Sequence, residues 1–172
     1  MEIVETCREA EKLKSHAHKS KGMERARLFR EAIVLYSLVV REDPGFRNAV
    51  GERGQCYEEI GDLPAAEKDF ITMLEHEPEL VQPQIGAYIH LSRLMKVQGK
   101  YPESLDYLEK LIAVEESKVY YGKAANRYLE KSELLEELGR KEEARVAREI
   151  YDEYRKAEQA KWDDPDHRYH YY

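Results

Sequence analysis

Residues that can pack recur along this chain at helical spacing. Val50, Gly54, Tyr57 and Ile60 follow one another at i, i+4, i+7 and i+10. Tyr88, Leu91 and Met95 share a face in the same way, as do Tyr128, Leu135 and Leu138. Each stretch is followed by a block that opens on glycine: "GDLPAAEKDF" from Gly61, "GKYPESLDYL" from Gly99 and "GRKEEARVAR" from Gly139. The first two blocks have Pro fourth, a small residue sixth and a bulky apolar residue tenth. Glycine suits the left-handed residue that ends a helix, and proline suits the first turn of the next. Each block therefore predicts a tight elbow between two helices.

The elbows repeat. Gly61 and Gly99 lie 38 residues apart and Gly139 follows 40 later. Counting back 34 residues from Gly61 gives "RLFREAIVLY", with Arg27 in place of the glycine and Ala32 at the small position. Such self-similarity marks a repeat architecture. Pro44 and Pro78 supply stop signals, because proline disfavours helix at the residue before it. The predicted helices are roughly 2–19, 23–42, 46–60, 63–76, 83–98, 101–115, 119–138 and 141–162. The fold class is all-α: an α-solenoid of about four antiparallel helix-turn-helix repeats, a capping last helix and a short aromatic tail. The array spans 1–162, with units at about 13–46, 47–80, 85–118 and 125–158, and the tail is 163–172. Gly54 and Ala66 (like Ser92 and Ser104, or Ser132 and Ala144) fall where paired helices cross closely. Insertions around 79–84 and 116–122 account for the spacings above 34, by lengthening a loop or a helix end.

This repeat resembles the tetratricopeptide (TPR) family over about residues 13–158. The likeness is clearest where Gly54, Tyr57, Gly61, Ala66, Phe70 and Pro78 hold the family's small, aromatic, glycine, alanine, aromatic and proline positions. Tyr88, Leu91, Ser92, Gly99, Ser104 and Leu108 repeat them in the next unit. The resemblance implies a concave groove lined by the first helix of each unit, where a peptide or protein partner binds. Carried over residue by residue, its lining is Asn48, Glu52, Gln55, Glu58 and Glu59, then His90, Arg93 and Lys96, then Asn126, Glu130 and Glu133. In the first unit Lys14, Ala17, His18 and Lys21 correspond. Some members clamp chaperone C-terminal carboxylates with Lys, Asn and Arg at these positions. Glu52, Gly86 and His90 stand where that clamp needs Asn and bases. A ligand of mixed charge fits better.

Charge shapes the picture further. The net charge of −7 disfavours binding to nucleic acid, which depends on neutralising phosphates. It is unevenly spread: 12–30 holds seven bases and one acid, while 52–79 holds nine acids and two bases. Two cysteines make no disulfide framework. No signal-like start and no run of about 18 apolar residues is present, so a cytoplasmic protein without a membrane partner is expected.

No dinucleotide, P-loop, zinc-protease or nucleophile-elbow motif occurs. His16 and His18 point some 200° apart on a helix. Cys56 reads as a buried structural thiol, and Cys7 has no base beside it. The stretch "WDDPDHRYHYY" gathers acids and histidines, but its four aromatics suggest packing on the last hairpin or docking on a neighbour more than a metal site, with a disordered tail as the third reading. The expectation is a non-enzymatic interaction module or scaffold, with no cofactor and no metal. Two alternatives stand beside it: a structural protein assembling head to tail through its charge asymmetry, and a small chaperone of a secreted or assembling partner.

Overall fold

The computed structural model describes residues 2–76, 81–117 and 121–163. Eight α-helices account for most of them: α1 Ile3–Lys19, α2 Gly22–Glu42, α3 Ala49–Glu59, α4 Leu63–His76, α5 Val81–Val97, α6 Tyr101–Ser117, α7 Tyr121–Glu137 and α8 Lys141–Asp163. No strand occurs among the described residues. The all-α expectation holds, and the helices begin and end within a few residues of their predicted positions. The stop at Pro78 and the stretch 164–172 lie outside the described residues, as do parts of the insertions at 79–84 and 116–122.

The three elbows share one backbone design. Gly61, Gly99 and Gly139 have φ of 81°, 72° and 72°, a region where a side chain is strained. Their N–H groups donate to the carbonyls of Glu58, Lys96 and Glu136 at 3.1, 3.0 and 2.9 Å. The N–H groups of the next residues, Asp62, Lys100 and Arg140, reach the carbonyls of Tyr57, Met95 and Leu135 at 2.9, 2.9 and 2.8 Å. This doubly bonded glycine closure satisfies carbonyls that a bare helix end would leave unpaired. Pro64 and Pro102 each sit second in the helix after the elbow, where no intrahelical N–H bond is due.

The first elbow is different. Arg27, the glycine position by spacing, lies inside α2, and the chain turns earlier, where Ser20 N–H donates to the carbonyls of His16 and Ala17. Ala32 is nevertheless fully buried, like Ala66 and Ser104. The crossing point has kept its register while the turn has moved along the helix. A second difference lies at 46–60. One helix was expected there, but a 3-10 turn at Phe46–Asn48 precedes α3. Asn48 stands between them with φ of 59°, a conformation asparagine tolerates better than most residues.

The chain divides into two compact units, residues 1–94 and 95–172. In the first, α1 packs on α2, α2 on α3 and α3 on α4. Phe29, Tyr36, Leu28, Ile33 and Val39 fill the interior, with Cys7 and Cys56 among them. A side chain at Gly54 would come within 2.9 Å of the Phe70 ring, so α3 and α4 approach as closely as the sequence required. Arg53 forks onto Asp69, Nε to Oδ2 at 2.8 Å and Nη2 to Oδ1 at 2.7 Å, and its Nη1 reaches Ser37 Oγ on α2 at 3.2 Å. In the second unit α7 packs on α6 and on α8. Leu108, Leu111, Leu134 and Leu135 form its core. Glu115 is 0% exposed there, 3.5 Å from Arg127 of α7. Glu116 beside it accepts hydrogen bonds from Tyr128 at 2.8 Å and Tyr154 at 3.3 Å, linking α6, α7 and α8.

Candidate functional site

The residues expected to meet a partner sit mainly on α3, α5 and α7, the first helices of successive hairpins. In the first unit they engage one another. Lys14 of α1 donates to Glu52 at 2.7 Å and to Gln55 at 2.5 Å. Arg25 of α2 pairs with Glu59. Glu58 receives His90 and Arg93 from α5. These partners lie 32–41 residues apart in sequence, so each contact joins separate helices.

Glu58 is the most elaborate of these sites. Arg93 donates to it twice, from Nε at 2.9 Å and from Nη2 at 2.7 Å. His90 Nδ1 lies 3.0 Å from Oε2 of the same carboxylate. Arg93 Nη2 lies 3.1 Å from the same Nδ1, so the tautomer sets whether Nδ1 donates to the carboxylate or accepts from the guanidinium. The His90 ring lies flat on Phe70, with centroids 4.4 Å apart and planes 9° apart. Burial by itself would raise the Glu58 pKa. The hydrogen bonds from His90 and Arg93, together with their charges, outweigh burial and hold it below the ordinary carboxylate value. The group is therefore an anion fixed in position at neutral pH.

In the second unit the candidate residues are more open. Lys96 and Glu133 pair at 3.2 Å with 45% and 53% of their side chains exposed, against 18% for Glu58. Glu130 accepts from Arg127 one turn earlier at 2.9 Å. Asn126 is exposed on α7, and Asn48 is exposed at the mouth of α3. Ala17, one of the first-unit positions, is fully buried in the core and lines no surface.

Local sequence carries no sign of these pairings. The sequence shows the acids of 52–79 and the bases of 12–30 only as an uneven spread of charge. In the fold Lys14 and Arg25 neutralise Glu52 and Glu59, while Arg27 is held by Glu24 and Glu31 on its own helix. The charge asymmetry is thereby partly cancelled inside the first unit, which weakens the basis for charge-driven head-to-tail assembly. The Arg53–Asp69 fork was also missed. Its spacing of 16 residues across an elbow is a signal only once the hairpin is known.

The Cys56 thiol fits its reading, whereas Cys7, read as having no base beside it, donates from Sγ to the Glu11 carboxylate one helical turn on, at 3.7 Å. Cys7 and Cys56 are buried, and burial pushes the Cys56 thiol up to about 12, so it is not a thiolate at neutral pH. Among the described residues no helix is long and apolar enough to cross a membrane.

No protein-family model and no curated protein matches the sequence. Among solved structures, the crystal structure of MamA is similar over 82% of this chain and 99% of its own, at 17% identity and a TM-score of 0.43.

Proposed function

We propose that this chain is a non-enzymatic protein-interaction module that holds a peptide or protein segment on the polar first-helix face of either unit. The observation that supports this reading best is the Glu58 cluster. Two side chains of α5, His90 and Arg93, are fixed around the Glu58 carboxylate of α3 on an accessible face, so little ordering remains to be done when a ligand arrives. The resemblance to tetratricopeptide repeats assigns the same face to ligand binding. A partner that meets Glu52, Glu58 or Glu59 exchanges with an internal cation, so its own groups must alternate in charge. The open Lys96–Glu133 pair makes the smaller demand.

Affinity capture followed by mass spectrometry identifies the partner, and charge reversal then tests the face. Glu58→Lys and Glu133→Lys together should weaken capture at least tenfold while the helical circular dichroism is kept. Capture that survives both changes in a folded protein would rule this face out.

A further inference from the structure

The exposed side of α2 carries a row of its own. Met23, Arg27, Arg30, Val34, Leu38 and Arg41 follow one another at steps of three and four, and all are exposed. On a helix they fall within an arc of about 80° and extend over about 27 Å. Three of the five large apolar side chains exposed among the described residues stand in this row: Met23 at 91%, Val34 at 60% and Leu38 at 38%. Such exposure marks an interaction surface when it is clustered. Arg25, which pairs with Glu59, projects from another side of α2, about 140° around from Arg30. The row is therefore separate from the first-helix face proposed above.

Its charges have one sign, and two of the three are available. Arg27 is held by Glu24 and Glu31, which edge the row on one side. Among the described residues no acid pairs with Arg30 or Arg41. These two cations stand about 16 Å apart along the helix axis, with Val34 and Leu38 between them. A complementary ligand needs an anion at each end of an apolar pair. A helix supplies that pattern at the matching spacing, because acids 11 residues apart and apolar residues four and seven along share one stripe. A lipid surface fits less well. Met23 is separated from Val34 by about 16 Å of helix, so the apolar face is not continuous as an interfacial helix requires. Glu24 and Glu31 would also face the anionic headgroups.

We infer that this face of α2 docks an acidic amphipathic helix of a partner protein, whose carboxylates lie about three turns apart on either side of an apolar pair. The probe is a fluorescein-labelled helical peptide of alanine and glutamine, with Glu at i and i+11 and Leu at i+4 and i+7. Its counterpart has Lys for both Glu. The full-length chain should bind the acidic peptide about tenfold more tightly than the basic one by fluorescence anisotropy. The chain carries −7 overall, so net charge alone draws the basic peptide, and the opposite preference reports the local face. Arg30→Glu and Arg41→Glu together should reverse that preference, while Glu58→Lys leaves it in place. Equal binding of the two peptides, or an acidic preference that survives the double change, would overturn the proposal. Capture of the parent but not of the double variant on phosphatidylserine vesicles would overturn it in favour of a membrane surface. A dimer in sedimentation that the same double change dissolves would overturn it in favour of a second copy.

Discussion

The α3–α4 and α7–α8 hairpins share an elbow and differ in the packing beyond it. Gly61 and Gly139 close their turns with the same two hydrogen bonds, and Ala66 and Ala144 are both buried at the crossing. Four residues past each small position the hairpins part company. Along the chain that position reads Tyr36, Phe70, Leu108 and Arg148. The first three are fully buried, while Arg148 is exposed. The elbow is a local device that needs only its own glycine. The ring position depends on a neighbour to pack against, and it is apolar at the three positions that are buried. The interiors differ accordingly: the first unit buries aromatic rings and an Arg53–Asp69 fork, the second leucines and a Glu115–Arg127 pair.

Three experiments separate the features common to the hairpins from those that distinguish the first unit. Asp69→Ala leaves Arg53 half-buried without its carboxylate, and the expected loss is about 3 kcal/mol. Hydrogen exchange should show that loss in residues 3–94 and little change in 101–163. An equal change in both stretches would mean that the fork is not a first-unit device. Gly54→Ala comes next. The new methyl meets the Phe70 ring at 2.9 Å, so a cost of about 2 kcal/mol is expected from overpacking. Ser132→Ala, at the matching position of α7, should cost under about 1 kcal/mol, because no larger group is introduced. Equal urea midpoints for the two variants would show that the hairpins cross alike.

The smallest effect is on pH dependence. The Glu58 pKa is lower in the folded chain than its ordinary value of 4.5. Its contribution is therefore complete above that value and fades as the pH falls through the lowered one. Arg93 is 55% exposed, so solvent screening holds the contribution to under about 1 kcal/mol. Urea unfolding of the parent and of Glu58→Gln should differ at pH 7, and the difference should shrink as the pH is lowered below 4.5. A constant difference across that range would mean that the carboxylate charge is not what stabilises the cluster.

Much of the fold was legible because its signals are local. Gly99 and Pro102 announce an elbow within four residues, and Tyr88, Leu91 and Met95 announce a helix within two turns. The candidate face was legible only as positions. The sequence shows that Glu58 and Arg93 are charged, but their meeting depends on how α3 and α5 pack, which no window of ten residues contains. The first turn was legible from the helix bounds, 2–19 and 23–42, although the 34-residue spacing points to Arg27; the left-handed glycine of that region is Gly22.

The elbow has a consequence for how the chain comes to be folded. Each of the three reverses direction through bonds between residues three and five apart, and the helices it joins are consecutive. Bringing such helices together closes only a short loop, at small entropic cost. A hairpin such as α3–α4 thus depends on contacts near in sequence, the topology that favours rapid folding. Contacts like Lys14 with Glu52, 38 residues apart, can form after the hairpins exist. The order of the sequence is also an order of assembly.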